Sequence, residues 1–176
     1  MEQIFIKKNL KRYLEIEILL NFFFSAFNYC IKNCVASEIE KSNGGPVAAC
    51  CKDKYHSISD LDHPAYDLLR HEREIRYGKP EAQINPDPVS PCEYHGPQGC
   101  ILPTHKSPIC LAFMCRKSID CLRQTYSIYT YDYLGVYYAL EWILTGDFSE
   151  ANYREFRDSI KIMTQRVKGQ DGSNST

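Results

Sequence analysis

CEYHGPQGCILPTHKSPICLAFMC, residues Cys92 to Cys115, is the stretch on which the fold turns. Four cysteines fall within it, with seven, nine and four residues between them. It closes a longer segment, Lys79 to Pro108, that carries seven prolines, at 80, 86, 88, 91, 97, 103 and 108. Proline lacks the backbone N–H and clashes with the preceding turn, so that density excludes a regular helix. A connection of this length without secondary structure is uncommon inside a domain unless something orders it. A bound metal would do so, because ligand binding offsets ordering entropy that a loop cannot recover by packing. The sequence predicts a mainly α protein: about four helices packed around a long, metal-ordered loop rich in Pro and Cys.

The helices flank that loop. From Lys8 to about Glu40 the chain predicts one long helix or two short ones, with Leu10, Tyr13, Leu14, Ile18, Phe22 and Phe27 near helical spacing. The Phe22-Phe23-Phe24 run widens the apolar stripe and predicts burial on more than one side. Ser42 to Pro46 breaks this element. A second helix is signed by Asp62 as cap, Pro64 in the first turn, and Gly78 with Pro80 at the end. Tyr66, Leu69, Arg73 and Arg76 lie near one of its faces. Ile119 to Thr145 predicts a tyrosine-rich helix stopped by Gly146. In it Tyr126, Tyr129, Tyr133 and Tyr137 form a stripe of the kind that packs helices together. Asp147 with Glu150 resembles a capping box for a last helix to about Val167. Residues 1–168 are expected to form a single cysteine-cluster domain, followed by a polar, disordered tail over 169–176. No internal repeat and no convincing strand is expected.

Composition narrows the function. The 176 residues are 44% hydrophobic with a net charge of −1. That is ordinary for a globular chain and gives no global attraction to nucleic acid. Lys7, Lys8, Lys11 and Arg12 read as a solvated helix start. Nine cysteines imply either disulfides in an oxidising compartment or metal ligands and catalytic thiols in a reducing one. The apolar run near the N-terminus is interrupted by Glu15, Glu17 and Asn21, which argues against a secretory signal. Its strongest part, Ile18 to Phe27, falls short of the about 20 residues that span a bilayer. A cytoplasmic protein with reduced thiols and no membrane span is therefore expected.

Thiolates are soft ligands suited to zinc, Cu(I) or iron–sulfur clusters, and four close a tetrahedral or cubane site. Cys30 and Cys34, at i and i+4, would point the same way from a helix. Pro-rich loops offer little core in which to bury the remaining thiols as inert hydrophobes, although that reading suits Cys121. His95 and His105 are further candidate ligands. His56, His63 and His71 read as surface or capping residues, and Asp67 with His71 is a weak pair. Ile75 stands where a zincin motif would need its second His. A Cys92–His95 nucleophile–base pair is conceivable, but crowded thiols suit a single nucleophile poorly. Neither a phosphate loop at Gly44-Gly45-Pro46 nor a dinucleotide motif is present.

The pattern resembles the YkgJ-type cysteine-cluster family, described as a zinc- or iron-chelating domain. Cys30 and Cys34 match its C-x3-C element, Cys50-Cys51 its CC pair, Cys92 and Cys100 its middle pair, and Cys110 and Cys115 its final C-x4-C. Two departures stand out: a long gap between Cys34 and Cys50, and Lys106-Ser107-Pro108 where the family has Arg-Pro. The resemblance implies a metal or iron–sulfur centre drawn from these eight cysteines, and no settled activity. An iron–sulfur or iron centre for electron transfer, redox sensing or metal handling is expected first. A structural Zn²⁺ site in a protein that binds a partner through its helical faces is the alternative. A metal-dependent enzyme related to the flagellin lysine methylases comes third.

Overall fold

In the computed structural model, residues 2–35, 62–78, 94–96 and 99–173 are described. The chain is mainly helical. The described residues form six α-helices and one π-helical segment: α1 (Glu2–Ala26), the π segment (Cys30–Val35), α2 (Pro64–Tyr77), α3 (Pro108–Ala112), α4 (Arg116–Tyr126), α5 (Tyr133–Thr145) and α6 (Glu150–Ser173). Two short strands, β1 (His95–Gly96) and β2 (Gly99–Cys100), pair antiparallel with His95 opposite Cys100. No other strand pairing occurs among the described residues. Most of the proline-rich loop, the break at 42–46 and the tail end at 174–176 lie outside the described residues.

Helix α1 is the axis of the fold, packed by α2, α5 and α6, while α3 lies on α5 and α4 on α6. Ile6, Leu10, Tyr13, Ile16, Leu20, Phe23 and Phe27 recur at three- and four-residue steps, and all are buried. Each aliphatic member contributes roughly 1.5–3 kcal/mol through burial. The face differs from the one predicted: Leu10, Tyr13 and Phe27 are inside, but Ile18 and Phe22 are exposed. Of the three adjacent phenylalanines, Phe23 is buried and stacks on Tyr131 with ring centres 5.9 Å apart. Arg12 is not a solvated residue; its guanidinium lies 4.2 Å from the centre of the Tyr153 ring and joins α1 to α6.

Helix α2 runs between the predicted Pro64 and Gly78, but its cap is His63 rather than Asp62: His63 Nδ1 accepts from the Ala65 N–H at 3.1 Å. Ala65, Tyr66, Leu69 and Arg73 face inward, while Arg76 stays at the surface.

The predicted helix over 119–145 is two helices. Ser127 adopts a left-handed conformation (φ 53°), and its N–H and that of Ile128 both return to the Leu122 carbonyl, the latter at 3.0 Å, which ends α4. Asp132 then caps α5 by accepting from the Leu134 and Gly135 N–H groups. The break dissolves the predicted tyrosine stripe: Tyr129 is exposed in the connection, and Tyr137 is buried in α5. Gly146 stops α5 as expected, at φ 97° with its N–H on the Trp142 carbonyl. Ser149, not Asp147, caps the last helix through the Asn152 N–H, while Asp147 accepts from the Thr145 hydroxyl. Helix α6 continues to Ser173, past the predicted end near Val167.

Candidate metal centre

Two of the candidate thiols meet. Cys30 begins the π segment after α1, and Cys115 stands at the N-cap of α4, 85 positions later in the chain. Between them lies the hydroxyl of Ser118, a residue with no exposed surface. Its Oγ is 3.1 Å from Cys30 Sγ and 3.3 Å from Cys115 Sγ. The two sulfurs are therefore no farther apart than the sum of those distances. The placement follows from local structure. The π segment turns the chain after Phe27 has inserted into the core, and π-helical turns occur often at functional sites. Cys115 has extended backbone angles, so its sulfur lies against the first turn of α4.

That position acts on the thiol. Burial pushes the Cys115 pKa up, but the Ser118 hydroxyl and the backbone N–H groups of Ser118 and Lys117 more than offset it, and the net pKa is lowered. Hydrogen-bond donors at a helix N-terminus favour the thiolate, the form that acts as nucleophile and metal ligand.

The other thiols are more dispersed. Cys110 lies in α3, which Ser107 caps by accepting from the Cys110 N–H at 3.4 Å. It is close enough to Tyr13 to help raise the pKa of that phenol, after burial and Glu17. Cys100 is exposed at the end of β2. Cys121, on α4, is half-buried at the edge of the hydrophobic core, with its sulfur 3.7 Å from Thr125 Oγ1. Cys50, Cys51 and Cys92 lie outside the described residues, as do His56 and the side chains of Cys34 and His95. Among the described residues, no group of three or more His, Cys, Asp or Glu side chains is assembled to hold a metal ion. A thiolate set fits the Cys30–Cys115 pair, which supplies two soft donors; further ligands would come from the cysteines beyond it.

The segment between Cys100 and Cys110 is fastened by a buried polar cluster that the sequence reading did not anticipate. Glu17 of α1 is fully buried, and its carboxylate accepts from the His105 N–H at 2.7 Å and the Lys106 N–H at 3.0 Å. His105 has φ 65°, so these successive N–H groups form a concave nest around the carboxylate. Tyr13 donates to the Lys106 carbonyl at 2.6 Å, and Arg73 donates to the His105 carbonyl at 3.3 Å. Burial raises the Glu17 pKa to about 7, against the lowering effect of these N–H groups, Lys106 and Arg73. Glu141 of α5 is buried as well and accepts from Tyr66 at 2.6 Å and Tyr137 at 2.5 Å.

The same cluster engages His105, one of the histidines considered as a ligand. Its Nδ1 is 2.8 Å from Thr104 Oγ1 and its Nε2 is 3.4 Å from Glu72 Oε2. His63 is occupied as a helix cap, and His71 is exposed. Asp67 pairs with Arg70. A signal for Glu17 was present: it falls in phase with Leu10, Tyr13 and Leu20, which places a carboxylate on the apolar face of α1. No comparable local signal marks Ser118, whose partners are distant in the chain. No protein-family model matches this chain, and neither a curated protein nor a solved structure does.

Proposed function

We propose that this chain is a cysteine-ligated metal-binding protein of the YkgJ type, holding an iron–sulfur or iron centre for electron transfer, redox sensing or metal handling. The observation that carries the reading is the convergence of Cys30 and Cys115 on one buried hydroxyl across 85 positions of sequence. Soft, partly buried sulfurs brought together from remote elements form the start of a thiolate ligand set. Completion of the set falls to Cys34, Cys50, Cys51, Cys92, Cys100 and Cys110, the other members of the cysteine pattern. When bound, an iron–sulfur or iron centre would supply one-electron redox chemistry. The chain itself would orient the sulfurs through Ser118, exclude water with the Phe23, Phe27 and Tyr131 side of the core, and hold the Cys100–Cys110 segment through Glu17 and Arg73.

Anaerobic purification, followed by an absorption spectrum and analysis for iron, zinc, copper and acid-labile sulfide, tests this directly. Brown protein containing iron supports it, and sulfide in proportion identifies a cluster. Colourless protein with stoichiometric zinc would replace it by a structural site serving partner binding, because zinc is d¹⁰. Absence of bound metal after anaerobic isolation would overturn the metal reading as a whole.

A further inference from the structure

Helix α1 carries a second seam besides the one it buries. Ile4, Lys8, Lys11, Glu15, Ile18 and Phe22 follow one another at steps of four, three, four, three and four residues, which keeps them on one face of a helix. None of them belongs to the set that runs through Leu10, Tyr13, Ile16 and Leu20 into the core. All six are exposed, and the apolar members stand far out of the fold: Ile4 is 76% exposed, Phe22 59% and Ile18 45%. Among the described residues, Lys8 and Lys11 enter no ion pair, and Glu15 accepts only from the Tyr153 hydroxyl, at 3.0 Å. The seam is roughly 27 Å long, at about 1.5 Å per residue. Large apolar side chains in such a row, interleaved with charge, mark a surface that meets a partner.

We propose that this partner is a second copy of the chain, paired antiparallel along the outer face of α1. The order of steps in the seam reads the same in both directions. A two-fold axis level with Tyr13 therefore brings the two seams into register: Ile4 of one copy meets Phe22 of the other, Lys8 meets Ile18, and Lys11 meets Glu15, each pairing occurring twice. The one acidic residue of the seam thus faces a lysine in each half. The Lys8 stem covers Ile18 while its ammonium stays in water at the edge. The lysines of the two copies come to lie at opposite ends of the contact. A parallel pairing would instead set Lys8, Lys11 and Glu15 each against its own kind. An anionic lipid surface would attract the lysines but repel Glu15 at the middle of the seam. A single helix pair is toward the small end of specific interfaces, so association is expected between about 1 µM and about 1 mM. The pairing involves no cysteine and does not depend on the metal reading.

Sedimentation velocity of the full chain over that concentration range tests the pairing, with a phosphine reductant present so that no intermolecular disulfide forms. The expected result is a monomer that passes to a dimer as concentration rises. Lys11→Glu and Glu15→Lys should each weaken association by about tenfold, because the two-fold axis turns two attractive pairs into repulsive ones at once. The double exchange, Lys11→Glu with Glu15→Lys, should restore association to within about threefold of the native chain. Phe22→Ser should weaken it, with no rescue by the exchange. Circular dichroism checks that each variant keeps the fold. Glu15→Lys gives up the bond from Tyr153, whereas Lys11→Glu disturbs no ion pair among the described residues, so the Lys11 variant decides the matter even if the other fails to fold. A chain that remains monomeric to about 1 mM overturns the proposal. So does a dimer indifferent to Lys11→Glu, or a folded double variant that stays dissociated. Flotation with phosphatidylserine vesicles adds the remaining outcome: a monomeric chain that binds them, and loses binding in Lys11→Glu, would assign the face to a lipid surface and overturn the pairing.

Discussion

Replacing Glu17 with Gln tests whether the buried carboxylate governs the pH dependence of stability. In the folded chain burial raises its pKa from an ordinary 4.5 to about 7. Between those values the unfolded chain has released the proton and the folded chain retains it. The folded state therefore binds more protons, and stability falls as pH rises. With one pKa unit equivalent to about 1.4 kcal/mol, integration from pH 5 to pH 8 gives a loss of about 2.5 kcal/mol from this residue. Glutamine keeps one acceptor for the His105 or Lys106 N–H but turns an NH₂ group toward the other. That leaves a buried donor unsatisfied at a cost of about 1–3 kcal/mol, largely independent of pH. Urea unfolding of both proteins at pH 5 and pH 8, at fixed ionic strength, should show the variant less stable at pH 5. That deficit should shrink or vanish at pH 8. His105 acts in the opposite sense: burial lowers its pKa below the usual 6.5, so its contribution is lost as pH falls. The Glu17→Gln variant should leave that slope exposed, its stability rising with pH. Parallel pH profiles for the two proteins would refute the reasoning, because the titration would then belong to other groups.

Three further expectations concern the ligands, a helix stop and the second buried carboxyl. Cys115→Ser should strip most bound metal, whereas Cys121→Ala should retain it all; elemental analysis checks both, and retention in Cys115→Ser would remove that residue from the ligand set. Gly146→Ala should destabilise the chain by more than about 1 kcal/mol, because φ 97° disfavours a side chain and its Cβ would meet Asn9 and the Phe5 ring. A thermal midpoint unchanged from the native one would contradict that close approach. Tyr66→Phe removes one of the two hydroxyls donated to buried Glu141 and should cost roughly 1–3 kcal/mol in denaturant unfolding, the range for depriving a buried acceptor of a partner; a loss below about 0.5 kcal/mol would mean that the Tyr137 hydroxyl suffices.

The sequence by itself determined the local features. Pro64 and Gly78 delimit α2, and Gly146 ends α5, because these signals act through φ and through hydrogen bonds within a few residues. The mainly helical class followed from apolar periodicity, which is also a local property. Its phase on α1 did not follow. Phe22, Phe23 and Phe24 are equivalent as hydrophobes; packing against the distant Tyr131 put Phe23 fully inside, set Phe24 edge-on to the same ring and left Phe22 exposed. Likewise Ser127 carries no strong stop signal; the break between α4 and α5 is fixed by burial of Ile128 and Tyr131 within it. Glu17 reads along the chain as a polar interruption. Only the tertiary structure gives it the His105 and Lys106 N–H groups, 88 and 89 positions away, that make its burial tolerable. The same holds for the candidate centre. Spacing suggested the thiols as a set, but the Cys30–Cys115 pairing depends on a π segment and a helix start meeting at Ser118. Such a contact is decided by how helices pack, a long-range balance of burial and hydrogen bonding that no local window of sequence contains.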